Sequence, residues 1–162
     1  RSEVMSLIRS QGNAATELWL VKLMREHRIT GWRRQVALLV HPSTTGRVKV
    51  RPDFMFRRER VAVFVDGCYW HGCPRHYRRP KSNRKFWDAK IERNQTRDRL
   101  VTRALRKAGW TVLRTWECAL TKNKAGRTLS RLRRALGRVP AQSEKSEAPC
   151  QPPRFRREWR PS

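Results

Sequence analysis

Acidic residues are scarce in this chain of 162 residues, with 13 Asp and Glu against 39 Lys and Arg and a formal net charge of +26. A run of about 18 apolar residues is missing altogether, which excludes a membrane-spanning helix. Residues 1–20 hold no uninterrupted apolar stretch ending in small residues, so no secretory signal is expected and the expected location is the cytoplasm. The chain starts at Arg1 instead of Met, from which a short preceding piece is expected. No internal repeat is found. Four cysteines in an unsecreted chain favour metal binding over a disulfide framework. Apolar residues make up only 38 %, yet seven Trp and five Phe allow a modest core, so general disorder does not follow. The length suits one domain.

So lopsided a charge speaks of partners more than of fold. The cations are mostly Arg, whose planar fork suits phosphate. Nucleic acid is the first expectation and an anionic membrane surface the rival. GC-rich coding also raises arginine content, so charge alone names no partner.

Residues 1–12 read as an N-terminal arm. From Asn13 to His27 the pattern is helical, with Asn13 or Thr16 as cap and Leu20, Leu23, Met24 and His27 on one face. WRRQVALLV (32–40) reads as one strand, HPSTTG as a loop, VKVRPDFMF (48–56) as a second strand region, RRER as a turn and VAVFV (61–65) as a third strand. Residues 66–82 lack periodicity and read as a long functional loop. Ser82 or Asn83 caps a helix from Lys85 to Ala108, with Ile91, Val101, Ala104, Leu105 and Ala108 inward and Gly109 at its end. WTVLRTW (110–116) is a fourth strand, and residues 124–137 form a basic helix with Leu129, Leu132 and Leu136 inward. Residues 138–162 read as a basic, disordered tail. The order predicts an α/β domain over 13–137 with a mixed sheet.

Cys68, Cys73 and His76 fall in one loop and Cys118 follows the last strand, a donor set for a closed tetrahedral zinc site. Such a site would staple a charged loop that buries too little apolar surface to hold itself. Free thiols or a disulfide are the alternatives. Cys150, in the tail, is expected to have no partner.

Asp53 is conspicuous among so few acids because it lies in an apolar strand context. With Asp66 at another strand end it can hold Mg²⁺, which takes oxygen ligands; the alternative is a turn-initiating Asp. His71 is either a zinc ligand or free for proton transfer. Asn94 and Asp98 share a helix face with Ile91 and Val101, so Asp98 can orient a histidine or make an ordinary helix ion pair with Arg97, Arg99 or Arg103. Tyr69, Trp70, Phe86 and Trp87 read as core or as a wedge between stacked bases, with Phe86 assigned to the core.

The runs PDF, VFVDGCYWHGCPRH, PKSNRKFWDAKIERNQTRDR and AGWTVLRTWECAL resemble the very-short-patch (Vsr) mismatch repair endonucleases, and the likeness extends over about residues 1–137. The resemblance implies a core like that of type II restriction endonucleases, with a central mixed sheet flanked by helices and a structural zinc. It implies a Mg²⁺-dependent endonuclease nicking one strand beside the thymine of a T·G mismatch, the lesion left by deamination of 5-methylcytosine. By the same resemblance Asp53 is the catalytic metal-binding aspartate, the Val65 carbonyl a second metal contact and His71 the catalytic histidine. Asp98 is the supporting helix carboxylate, and Glu17 lies near the metal-bound water. Tyr69, Trp70 and Trp87 are the intercalating aromatics, and Cys68, Cys73, His76 and Cys118 the zinc set. Asp66 stands where some members carry a second catalytic histidine, and is grouped with the catalytic residues as a metal ligand or a structural acid. The implied partner is mismatched duplex DNA, with mismatch-repair proteins also plausible and the enzyme acting as a monomer. Two other readings are a restriction-type endonuclease on unmismatched DNA and a non-catalytic, zinc-stapled DNA-binding module.

Overall fold

The computed structural model describes residues 16–41, 47–121 and 123–137. The arm, Asn13, most of the HPSTTG loop, and the tail with Cys150 lie outside these described residues.

A helix covers residues 16–26 (α1), and Leu20, Leu23 and Met24 are buried along it as their spacing requires. His27 is not on that buried face; it is exposed, beyond the last helical residue and 3.4 Å from Arg133 Nη2.

The run 32–40 is two strands, not one. β1 (Trp32–Arg34) and β2 (Leu38–Val40) belong to different sheets, because the chain turns at Gln35, whose φ is +53°. The run 48–56 divides in the same way into β3 (Val48–Val50) and β4 (Phe54–Phe56). Pro52, which has no N–H for a ladder, sits at that break. The two breaks are stitched together where the Gln35 N–H donates to the Asp53 carbonyl at 3.2 Å. β2 and β3 pair as a small antiparallel sheet, and the main sheet has the order β1-β4-β5-β6, with β5 (Val61–Asp66) and β6 (Thr111–Trp116).

β5 pairs antiparallel with β4 and parallel with β6, so the sheet is mixed as expected. A parallel neighbour needs a long crossover, here the loop 67–83 and α2 (Arg84–Lys107). α2 starts after Asn83 as its position suggests, but Asn83 makes no side-chain cap and instead takes φ +53°. Its end is as expected: Gly109, at φ +77°, lets the Trp110 N–H return to the Leu105 carbonyl. A single 3₁₀ turn (Glu117–Ala119) and α3 (Ala125–Ala135) complete the described chain.

Two cores follow from the alternation of β5. Val61 and Val63 face α1 and α3 together with Phe54, Phe56, Leu129 and Leu132. Ala62 faces α2 and the small sheet together with Val40, Val50, Leu105 and Val112. Helices therefore cover both faces of a central mixed sheet. Phe54 and Phe56 are fully buried, and each contributes roughly 1.5–3 kcal/mol by leaving water. Phe86, expected in the core, is 56 % exposed; it lies in the first turn of α2, beyond the reach of either core. No helix among the described residues is long and apolar enough to cross a membrane.

Candidate active site

The functional side chains gather where β5 ends. Val65 forms the first link: its N–H donates to Asp53 Oδ2 at 2.7 Å. Extending the β4–β5 register opposes Val65 to Pro52, which has no N–H to donate to the Val65 carbonyl, while the Val65 N–H is accepted by the Asp53 carboxylate. Gln35 Nε2 reaches Asp53 Oδ1 at 3.4 Å and Glu17 Oε1 at 2.8 Å, and Arg34 Nη2 holds Glu17 Oε2 at 2.8 Å. The left-handed turn that divides the first strand run thus delivers Gln35 between two acids. Burial pushes the Asp53 carboxyl up to about 6; the Val65 amide opposes the rise, while Glu17 and Asp66 reinforce it.

The second cluster lies on the α2 side of the sheet. Asp66 follows Phe64 in the alternation of β5, and Arg114 follows Val112 in that of β6, so both point toward α2. Arg114 grips Asp66 with Nε at 2.9 Å and with Nη2, and Nη2 also lies 3.1 Å from Asp98 Oδ2. The same Asp98 oxygen is 2.5 Å from His71 Nδ1, and Asp66 Oδ1 is 3.9 Å from that nitrogen. Burial disfavours the charge on Asp98, but His71 and Arg114 outweigh it and hold the carboxyl below its ordinary value. An ionised carboxylate only accepts, so His71 donates from Nδ1 and its Nε2 is left for other chemistry. His71, Asp66 and Asp98 are close enough to hold a metal among themselves, but the Arg114 guanidinium already stands there as the cation.

Asp53 and the His71–Asp98 pair meet neighbouring residues of β5, Val65 and Asp66. Asp53 feels the charges of both Asp66 and Arg114, the two groups that adjoin the His71–Asp98 pair. Glu17 is paired with Arg34, Asp66 with Arg114, and Asp98 with Arg114 and Arg97, whereas Asp53 is held by the Val65 N–H and the Gln35 amide. A divalent cation, which takes oxygen ligands, would suit the Asp53 carboxylate.

The loop ahead of α2 carries a cysteine clasp. Cys68, Cys73, His76 and Cys118 bring their donor atoms within 4.8 Å of one another. Cys73 Sγ is 3.9 Å from Cys118 Sγ and 3.7 Å from His76 Nδ1, and Cys68 Sγ is 3.9 Å from the same nitrogen. Two thiolates bonded at about 2.3 Å to a tetrahedral ion stand about 3.8 Å apart, so the donors fit such an ion and none of these separations is a disulfide. Burial pushes Cys68 and Cys118 up. Against burial, the Arg75 and His76 amides and the His76 imidazole draw Cys73 down to about 7. Three clustered thiols cannot all ionise without a cation, which makes the clasp a candidate metal centre. His71 belongs to the acid cluster rather than to this donor set.

Helix α2 carries the loop as well. Asn94 Nδ2 donates to the Trp70 carbonyl at 2.9 Å and Gln95 Nε2 to the His71 carbonyl at 3.0 Å. Gly72 passes so near α2 that a Cβ there would meet Gln95 and Ile91 at 3.1 Å, and its φ is +67°. Glu117 Oε1 accepts from the Cys68 N–H at 2.8 Å. Beside the clasp, Tyr69 meets Trp70 and Trp87 edge-on at 5.3 Å, and Tyr77 and Phe86 extend the cluster.

The sequence reading missed Arg34, Gln35, Tyr77 and Arg114. For Arg114 a signal existed, since an arginine occupies a slot that strand alternation assigns to the buried α2 face. Gln35 had none, because its role depends on a turn that the apolar run conceals.

A family model described as DNA mismatch endonuclease Vsr matches residues 1–78. The type II nicking enzyme V.NmeDIP of Neisseria meningitidis serogroup C is 41 % identical over 112 residues, which is 63 % of this chain and 76 % of that protein. The type II nicking enzyme V.NaeI of Lentzea aerocolonigenes is 54 % identical over 70 residues, 43 % of this chain and 42 % of that protein. The DNA mismatch endonuclease Vsr of Escherichia coli K12 is 41 % identical over 71 residues, 43 % and 46 % of the two chains. The chain thus spans less than half the length of two of these relatives and about three quarters of the third.

Proposed function

Because the chain belongs to the Vsr family of DNA mismatch endonucleases, we propose that it nicks one strand of duplex DNA beside the thymine of a T·G mismatch. The observation that carries this reading is the His71–Asp98 pair, joined at 2.5 Å beside Asp66, the β5 neighbour of the Val65 whose N–H is accepted by Asp53. We take the mixed sheet as a restriction-endonuclease-like core and the clasp as a structural zinc site of Cys68, Cys73, His76 and Cys118.

Mg²⁺ held by the Asp53 carboxylate and the Val65 carbonyl supplies, when bound, polarisation of the phosphate and charge stabilisation at the leaving oxygen. The protein's own groups do the rest. His71, fixed through Nδ1 by Asp98, exchanges a proton at Nε2 with the attacking water or the leaving oxygen. Glu17, tied to Arg34 and Gln35, orients the Gln35 amide against Asp53 and keeps that carboxylate turned toward Val65. Asp66 keeps Arg114 in place. The zinc clasp holds the 66–82 loop so that His71 and the aromatics move together. Tyr69, Trp70 and Trp87 enter the duplex, and unstacking costs least at a step already weakened by a mismatch. Arginines of the loop and α2 contact phosphates, so binding falls steeply with salt. Action as a monomer and contact with mismatch-repair proteins accompany this reading.

The test is a strand-specific nicking assay on T·G and C·G duplexes of one sequence with added Mg²⁺. Cleavage confined to the T·G duplex, on the thymine strand, is the expected result. Equal cleavage of both would make this a restriction-type enzyme, and binding without cleavage a DNA-binding module.

A further inference from the structure

Two carboxylates flank one imidazole nitrogen. His71 Nδ1 lies 2.5 Å from Asp98 Oδ2 and 3.9 Å from Asp66 Oδ1. An ionised acid can accept the Nδ1 proton from either side, but the two approach from different elements, α2 and β5. A ring bonded to Asp66 would aim its Nε2 elsewhere. Arg114 treats the two acids unequally. Its Nε and Nη2 engage both oxygens of Asp66, whereas Asp98 receives Nη2 alone, on an oxygen it shares with His71. The guanidinium is itself fixed, with its carbon 4.9 Å from the Phe64 ring centre.

We propose that Arg114 is a positioning residue that decides which carboxylate orients His71. By occupying Asp66 it leaves Asp98 as the acceptor for the Nδ1 proton, and so sets the direction of Nε2. The inference rests on the nicking reading for its effect on rate, but the hydrogen bond it concerns can be observed without DNA.

In the full chain, Arg114→Met frees Asp66 to compete. The expected result is a fall in kcat of about 30- to 100-fold with KM for the duplex little changed, the cost of a misdirected group. Asp66→Leu combined with Arg114→Met removes the competitor together with its guard. A buried ion pair replaced by apolar residues of similar size is tolerated, so this double variant should regain about tenfold in kcat over Arg114→Met. Proton NMR of the uncomplexed protein supplies the second readout. The downfield Nδ1–H resonance of His71 should be present in wild type and double variant, and shifted or lost in Arg114→Met. Should Arg114→Met not fold, Arg114→Lys, which keeps the charge without the fork, replaces it in both arms. The inference is overturned by a single variant with wild-type kcat, by a double variant as slow as the single, or by a resonance that the single variant leaves unchanged. A wild type that nicks no mismatched duplex, with the NMR pattern intact, would defeat the nicking reading and leave this inference standing.

Discussion

The cysteine clasp and the carboxylate cluster adjoin one another beyond the end of β5, but they are gathered in opposite ways. Three clasp donors fall within the nine residues 68–76, so little loop entropy is spent in bringing them together, and Cys118 alone arrives from afar. The acids come from four separate places: Glu17 on α1, Asp53 ahead of β4, Asp66 on β5 and Asp98 on α2. The clasp is soft and almost local, and it organises a loop. The cluster is hard and wholly tertiary, and it organises charge. Damage to one should loosen structure, whereas damage to the other should stop chemistry in a chain that stays folded.

The largest effect should come from the cluster. Asp53→Ala and His71→Ala are each expected to lower nicking of a T·G duplex by about 10²- to 10⁴-fold in a chain that still folds. A variant that nicks at the wild-type rate would remove that residue from the site. Cys73→Ser should act the other way round, first on structure: bound zinc is lost by elemental analysis and the melting temperature falls by roughly 10 °C or more. Unaltered metal content would take Cys73 out of the clasp and erase the contrast.

Acidity sharpens the comparison further. Asp53 titrates near 6 in the folded protein, above its usual 3.8, because it is buried beside Glu17 and Asp66. The metal-free folded state therefore binds this proton more tightly than the unfolded chain does. Its contribution is complete below pH about 4 and is lost as pH rises through about 6, up to about 3 kcal/mol in all. Urea melts of wild type and Asp53→Asn without divalent cations should show the wild type losing stability relative to the variant across that window, and a constant difference would refute the shift. The smallest effect is expected at the exposed ring. Phe86→Ser should change stability by no more than about 0.5 kcal/mol, since the side chain is 56 % exposed; a larger loss would show that the aromatic cluster carries structural weight.

Much of this was legible in the sequence where the relevant signal is short-ranged. The three clasp donors of the loop, the facing of Asp98, the inward leucines of α3 and the glycine stop after α2 all follow from spacing within one element or loop. Strand division did not follow, because a left-handed Gln35 inside an apolar run leaves no mark in hydrophobic alternation. Phe86 was misplaced because hydrophobicity alone ignores that the first turn of a helix can project beyond the core. The Arg114 bridge was overlooked because it joins residues 48 positions apart, 66 and 114, through strand pairing.

Residue chemistry by itself set a net charge of +26, gathered three soft donors and a further histidine in one loop, and put an acid on the core-facing side of a helix. Only the tertiary structure decided which acid meets that histidine. Hydrogen bonds and ion pairs act over a few ångströms, and it is the parallel register of β5 and β6 beneath α2 that brings Asp66, Arg114 and Asp98 within that range.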